Sequence, residues 1–213
     1  MPSEDDEQKE QQREDFLRAL ELEPNNADAI YLYGEFLGHD RRSEDSIRAL
    51  DRALDIYPNN LLFQRDRGRM LYFGHRYEDA IAQLQRVIEI DPSYRTAYSW
   101  LFWAYLMKGD QESAYRTFLR WREVLGEDTE EYESAYQSTG MPGLLRLALP
   151  RLDSLGPSRI HSLFNEKDEA FAILEVQLER GRSQISMLYA DPAFDNLRGD
   201  PRYDDLVSRI RKK

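Results

Sequence analysis

Three short proline phrases decide the fold: Pro24-Asn25-Asn26, Pro58-Asn59-Asn60 and Pro92-Ser93-Tyr94, which begin 34 residues apart. Each of these tripeptides follows a similar run of residues, in which an acidic residue lies between apolar ones: ALELE at 19–23, ALDIY at 53–57 and VIEID at 87–91. Proline ends a helix because it lacks a donor and clashes with the preceding turn. A fixed interval with matching flanks indicates an internal repeat in which each unit ends on a helix stop.

Three units of 34 residues, 27–60, 61–94 and 95–128, align around these prolines. Position 8 is glycine in the first two units, position 20 is always small, and positions 24 and 27 carry apolar side chains. Small residues allow two helices to approach closely, and the apolar spacing fits one face of a helix. In unit order, the residues are Gly34, Gly68 and Phe102 (position 8), Ser46, Ala80 and Ala114 (position 20), Leu50, Leu84 and Phe118 (position 24), and Ala53, Val87 and Trp121 (position 27).

This pattern resembles the tetratricopeptide repeat, a helix–turn–helix unit with small residues at positions 8 and 20 and proline at position 32. The resemblance implies an all-α fold in which helix pairs stack as a right-handed solenoid. Residues 10–24 are similar to the second helix of a truncated earlier unit, so we predict a repeat array over 10–128. The second unit departs from the pattern at Gln64 and Arg67, and the third has Phe102 where glycine is favoured.

Past residue 128 the repeat register fades, and residues 129–213 predict a divergent helical C-terminal cap. Asn165–Phe171 half-restores the repeat, and Asp191-Pro192 and Asp200-Pro201 are each typical of a helix start, with aspartate as the N-cap and proline after it. The stretch from Asp191 to Tyr203 resembles the ending of many bacterial tetratricopeptide-repeat proteins. In those proteins the array often follows a kinase, cyclase or winged-helix domain, which the resemblance implies as an alternative context here.

Composition excludes several classes of function. The 213-residue chain has a net charge of −11 and no cysteine, which disfavours nucleic-acid binding and removes thiol chemistry. No apolar run approaches the ~20 residues of a membrane span, and residues 1–9 predict a disordered acidic tail. We therefore expect a cytoplasmic protein that does not bind membranes. No catalytic motif appears, and His39, His75 and His161 do not form a metal-ligand motif, so we expect no enzyme activity, cofactor or metal.

The first helices of stacked repeats line a concave groove, where we expect a partner protein or peptide to bind. Arg65 and Arg69 lie four residues apart and can hold a carboxylate of an acidic segment. They can equally pair with Asp28 and Glu35 on the neighbouring helix, and Trp103 can equally pack in the core or against the tail. The full predicted site comprises Tyr31, Glu35, Arg65, Arg69, Phe73, Ser99, Trp103 and Met107.

These observations predict a scaffold for protein–protein interaction that binds its partner in the groove. The carboxylate clamp of chaperone-binding tetratricopeptide repeats is absent, because Tyr31 and Glu35 replace its first polar residues and Thr96 a later one. The alternative is a regulatory, sensory or self-association module of a larger bacterial signalling protein. The pattern leaves the partner's identity and the oligomeric state open.

Overall fold

The computed structural model describes residues 4–152, 155–181 and 183–211, and within them the chain is helical without strands. Helices follow one another as antiparallel pairs joined by short turns. The α-helices are α1 (Glu4–Leu22), α2 (Ala27–His39), α3 (Ser43–Ile56), α4 (Leu61–Phe73), α5 (Tyr77–Ile90), α6 (Arg95–Lys108), α7 (Gln111–Val124), α8 (Glu130–Ala148), α9 (Gly156–Leu163), α10 (Lys167–Glu179) and α11 (Pro201–Arg211). Short 3-10 helices span Leu149–Arg151, Ser183–Tyr189 and Pro192–Leu197.

The proline phrases mark the turns between units, as the sequence predicts. Asn26 caps α2 by accepting a hydrogen bond from the Ala29 backbone N–H at 3.0 Å. Asn60 caps α4 in the same way, with its Oδ1 3.0 Å from the Leu62 nitrogen. The asparagine two residues after Pro24 and Pro58 therefore starts the next helix, whereas Tyr94 after Pro92 makes no side-chain cap.

The small residue at position 8 is confirmed as a point of close helix contact. A Cβ added to Gly68 would lie 2.7 Å from the Leu84 side chain, which is closer than carbon atoms can approach. At Gly34 the corresponding atom would lie 3.2 Å from the Ala49 Cβ. The glycines thus bring α2 onto α3 and α4 onto α5, with the fully buried Leu84 between the second pair.

In the third unit, a cluster of aromatic rings replaces the glycine contact. Phe102 is fully buried, with its ring centroid 5.4 Å from that of Phe118 and 6.3 Å from that of Trp121. Tyr132 of α8 then packs edge-on against Phe118 at 5.0 Å. The larger side chain hence fills the space between α6 and α7 instead of allowing the two backbones to meet.

The two polar residues at normally apolar positions of α4 find partners between the units. The Arg67 Nε donates to Asp51 of α3 at 2.5 Å, and its Nη1 donates to Gln83 of α5 at 3.1 Å. Gln64 donates to the Pro58 carbonyl at 2.6 Å. These bonds satisfy the polar groups, so the departures from the repeat pattern are tolerated without interrupting the stack.

The N-terminal prediction needs a correction, since helix α1 already begins at Glu4 where a disordered tail was expected over residues 1–9. The run is rich in Glu, Gln, Lys and Arg, which favour helix. Phe16 anchors the helix on α2, with its ring 5.5 Å from that of Phe36, and Lys9 pairs with Asp40 at 3.4 Å. Packing of the later turns lets the helix extend backwards into the acidic stretch.

Helix α8 contains a bend at Gly140, whose φ of 69° and ψ of −157° are accessible mainly to glycine. Pro142 lies in the first turn after the bend, where its missing N–H costs least. The α-helix then ends at Ala148, immediately before the 3-10 turn that contains Pro150. This bend and ending redirect the chain from the array into its C-terminal part.

The C-terminal part begins with a helix pair, α9 and α10, in which the buried Ala170 and Leu174 take the roles of positions 20 and 24. Beyond the pair lies a stretch that we call the C-terminal segment, residues 183–197. Phe194 and Leu197 of this segment belong to a separate apolar core shared with α10 and α11. Asp191 caps the 3-10 helix at Pro192 by accepting the Ala193 N–H at 3.0 Å, as the sequence predicts.

Candidate partner-binding groove

The groove-facing side chains of α2, α4 and α6 divide into an exposed edge and a covered floor. The exposed edge, which we call the open strip, combines positions 2 and 5 of each unit. Its members are exposed or half-buried: Asp28, Tyr31, Leu62, Arg65, Thr96 and Ser99. The floor, at positions 9, 12 and 13, includes the buried residues Arg69, Tyr72, Phe73 and Trp103. A partner therefore meets the open strip first.

A cluster of ion pairs joins α2 to α4 beneath the open strip. Arg69 donates to Glu35 and lies 3.1 Å from an oxygen of Asp66. Arg65 also contacts Asp66, with Nη1 2.9 Å from Oδ1, and the Tyr31 hydroxyl donates to the other oxygen at 3.0 Å. The two guanidinium groups are thus balanced by two carboxylates. The site at which Arg65 and Arg69 were expected to hold a partner's carboxylate is therefore occupied by carboxylates of the chain itself.

Burial sets the titration behaviour of this cluster. Desolvation raises the pKa of Asp66, although the positive charge of Arg69 opposes the shift. The pKa of Tyr31 is also raised, first by burial and then by the negative charge of Asp66. The Tyr31 hydroxyl consequently keeps its proton at neutral pH and remains a donor to the carboxylate.

The C-terminal segment covers the floor of the groove. Asp191 accepts hydrogen bonds from the Tyr72 hydroxyl at 2.8 Å and from the Arg159 Nε at 2.7 Å. Arg159, from α9, lies with its guanidinium carbon 5.2 Å from the ring centroids of both Trp100 and Trp103. The chain's own C-terminal part therefore fills the groove of the second and third units.

The predicted site residues fall into two groups. Tyr31, Glu35, Arg65, Ser99 and Met107 are half-buried along the groove. The three remaining members of the predicted site are buried: Arg69 (5% exposed), Phe73 (7%) and Trp103 (1%). In the structure Arg69 pairs with Glu35 and Trp103 contacts Arg159 of α9, as two of the alternatives have it, whereas Arg65 contacts Asp66, which was not among them.

The sequence interpretation missed three groups that shape the groove, namely Asp66, Arg159 and Asp191. Asp66 stands between Arg65 and Arg69 in the sequence, and its acidic side chain three residues before Arg69 is a signal of local pairing. Asp191 was recognised only as a helix cap. Nothing in the pattern pairs it with Tyr72, which precedes it by 119 residues.

His39, at the end of α2, is expected to make the free energy of unfolding depend on pH. Burial lowers the pKa of His39, and the positive charge of Arg69 lowers it further, whereas Asp66 acts in the opposite direction. The folded protein therefore favours the neutral ring. In the unfolded chain the ring takes up a proton near about pH 6.5. The free energy of unfolding should hence fall as the pH drops below that value and towards the lower folded pKa.

The measurement is urea unfolding of the wild type and of His39→Gln at about pH 7.5 and about pH 5. The glutamine variant should lose less stability between the two pH values, because it lacks the group whose protonation the fold disfavours. Equal losses in the two proteins would contradict the assignment.

Two further features of the described residues bear on function. None of their helices combines the length and the apolar character that crossing a bilayer requires. Nor do the histidine, aspartate and glutamate side chains of 4–152, 155–181 and 183–211 include a group of three or more that could hold a metal ion.

The stacked pairs and the groove along their first helices define a helical-repeat scaffold, the class of protein that offers a binding surface rather than a catalytic centre. Two family models described as tetratricopeptide repeat match residues 16–48 and 65–125. Over these two stretches the chain carries the repeats of tetratricopeptide-repeat proteins. Such proteins are generally interaction modules without catalytic activity.

Solved structures support the same fold. A crystal structure of MamA is 16% identical over 86% of this chain and 98% of its own, with a TM-score of 0.50. The MamA RS-1 ArsTM double mutant is 19% identical over 83% and 88%, with a TM-score of 0.52. Yeast Tom70 is 16% identical over 98% of this chain and 47% of its own, with a TM-score of 0.50. At these identities the likeness extends to the fold alone, and a search of curated protein sequences gave no significant match.

Proposed function

We propose that this protein binds a partner protein or peptide along the open strip of the groove. One observation carries the proposal. The C-terminal part of the chain covers the floor of the groove, whereas the side chains of the open strip beside it remain accessible to a partner. Leu62 is 38% exposed in the middle of the strip and supplies an apolar contact. Tyr31 and Arg65 flank it with groups that are enriched at binding hot spots.

The ion-pair cluster holds two side chains of the open strip in place, which lowers the entropy cost of binding at these two residues. Tyr31 and Arg65 are both held through the fully buried carboxylate of Asp66. A side chain that is already fixed loses less freedom when the partner arrives. The partner surface that suits this strip is an extended segment with one apolar side chain for Leu62.

The test replaces exposed residues, because Arg69→Glu would place a third carboxylate beside Glu35 and Asp66 and destabilise the fold. Leu62→Glu should reduce capture of the partner from native lysate at least about tenfold, since it adds a charge at the centre of the contact. The matched control is Leu22→Glu, which changes a leucine that is 78% exposed outside the strip. Equal capture by both variants, with unchanged helicity, would refute binding at the strip.

A second candidate is a regulatory or self-association role within a larger signalling protein. The observation in its favour is the seating of the C-terminal segment on the groove, because an exchange of this segment between two copies would preserve the same contacts. Light scattering over a range of concentrations tests self-association. One chain mass at every concentration would exclude it.

A further inference from the structure

The carboxylate of Asp191 occupies a receptor that is assembled from two parts of the molecule. Its side chain is completely buried and is held by the Tyr72 hydroxyl of the array and the Arg159 guanidinium of α9. One oxygen also accepts the Ala193 N–H. A hydroxyl and a guanidinium that converge on one carboxylate are a strong combination for recognising an acidic group.

Two indole rings orient the guanidinium of this receptor. Trp100 and Trp103 are one helical turn apart on α6, and the Arg159 guanidinium carbon lies 5.2 Å from the centroid of each ring. Cation–π contacts with both rings hold the charge in a site that water does not reach. Trp103 occupies the groove face of the third unit, so the receptor adjoins the surface at which a tetratricopeptide array binds its partners.

Two further polar contacts join described residues of the C-terminal segment to the array. The Lys9 amino group lies 5.8 Å from the centroid of the Tyr189 ring, and His75 lies 3.9 Å from Asp195. An ion pair with side chains as exposed as those of His75 and Asp195 contributes little to stability. Phe194, by contrast, packs into the core of the C-terminal part and not into the groove. Asp191 is therefore the main polar anchor of the segment on the array.

We propose that the Asp191-Pro192 stretch is an intramolecular competitor for the groove, and that the partner presents an acidic side chain to Tyr72 and Arg159. The inference rests on the proposed function, since a competitor matters only if the groove binds a partner. Release of the segment opens the floor, which is continuous with the open strip. The partner then gains the buried carboxylate site in addition to the contacts at Leu62.

The probe is a fluorescein-labelled peptide with the sequence of residues 187–200, and its binding to the 213-residue protein is measured by fluorescence anisotropy. In the wild type the linked segment competes, so the peptide should bind weakly. In the Asp191→Asn variant the segment loses its charge, and the peptide should bind at least about tenfold more tightly because the site is more often vacant. A peptide with the same Asp-to-Asn change should bind neither protein.

A cross-linked form provides the matched control, because the chain has no cysteine of its own. Cysteines at His75 and Asp195, whose side chains are 53% and 43% exposed, can be joined by a short bis-maleimide to hold the segment in place. Peptide binding should disappear in this form and return in the same variant without the reagent.

Equal affinity of the peptide for the wild type and Asp191→Asn, or the absence of binding to both, would overturn the competitor proposal. Tyr72→Phe guards against a folding defect, because it keeps the ring and removes only the hydrogen bond from the array. Because the Tyr72 hydroxyl binds the linked segment and the peptide alike, peptide affinity should be unchanged or lower, and tighter binding than to the wild type would contradict the proposal. The capture experiment with Leu62→Glu tests the open strip separately, so failure of one does not imply failure of the other.

Discussion

Replacing Arg159 with methionine should lower the free energy of unfolding by about 3–5 kcal/mol, because it leaves a buried carboxylate without its cation. Asp191 has no exposed surface, and Arg159 is 3% exposed. Water cannot therefore replace the lost guanidinium. Methionine fills most of the volume between Trp100 and Trp103. The decrease in the free energy of unfolding therefore measures mainly the loss of the guanidinium charge.

Urea unfolding measures this effect, and Arg116→Met is the surface control. Arg116 pairs with Glu112 on the exposed face of α7, where its side chain is 76% exposed, so its replacement should change stability by less than about 0.5 kcal/mol. The double variant Arg159→Met with Asp191→Asn should recover part of the loss, because the orphaned charge is also removed. A single variant as stable as the control would show that the pair is not buried in solution.

The second large change in the free energy of unfolding is expected at position 8 of the repeat. The helices of the second unit meet there at a glycine, whereas those of the third unit are separated by a phenylalanine ring. Phe102→Ala brings the third unit closer to the repeat pattern, yet it should destabilise the protein by about 3–5 kcal/mol. The fully buried ring lies 5.0 Å from the Trp103 ring, and its removal leaves a cavity that the rigid helix pair cannot close.

Gly68→Ala is the complementary change, since it adds one methyl where Phe102→Ala removes a ring. The new Cβ would lie 2.7 Å from Leu84, so overpacking should cost about 1–3 kcal/mol despite the better helix propensity of alanine. Gly34→Ala should cost less, because its contact with Ala49 is 3.2 Å. Thermal and urea unfolding of the three variants rank their losses of stability. A Phe102→Ala variant that is more stable than the wild type would refute the cavity argument.

The helical array could be predicted because each repeat contacts its neighbours over short sequence distances. Proline and asparagine at the turns, and glycine at position 8, act within one unit or between adjacent units. Such local constraints are visible as a period in the sequence. The start of α1 was missed because an acidic composition was taken for disorder, although Phe16 and Lys9 secure the helix on its neighbour.

The candidate site was harder to predict, because its occupancy depends on residues far apart in the chain. The periodic pattern places Arg65, Arg69 and Trp103 on the groove face. It contains no signal that Asp191 returns to Tyr72 across 119 residues, or that Arg159 inserts between two tryptophans. Pairing of Arg69 with Glu35 was a stated alternative, and only the relative position of α2 and α4 decides it.

The long sequence separation between Tyr72 and Asp191 also has a consequence during translation. Ribosomes add roughly 5–20 residues per second, and N-terminal units fold first. The 119 residues that separate the two side chains then correspond to about 6–24 s of synthesis. For the later part of that interval, once Trp103 has been added, the nascent chain displays Tyr72, Trp100 and Trp103 without the segment that later covers them. A chaperone or a partner that acts on the emerging chain meets the groove uncovered, before the finished protein closes it.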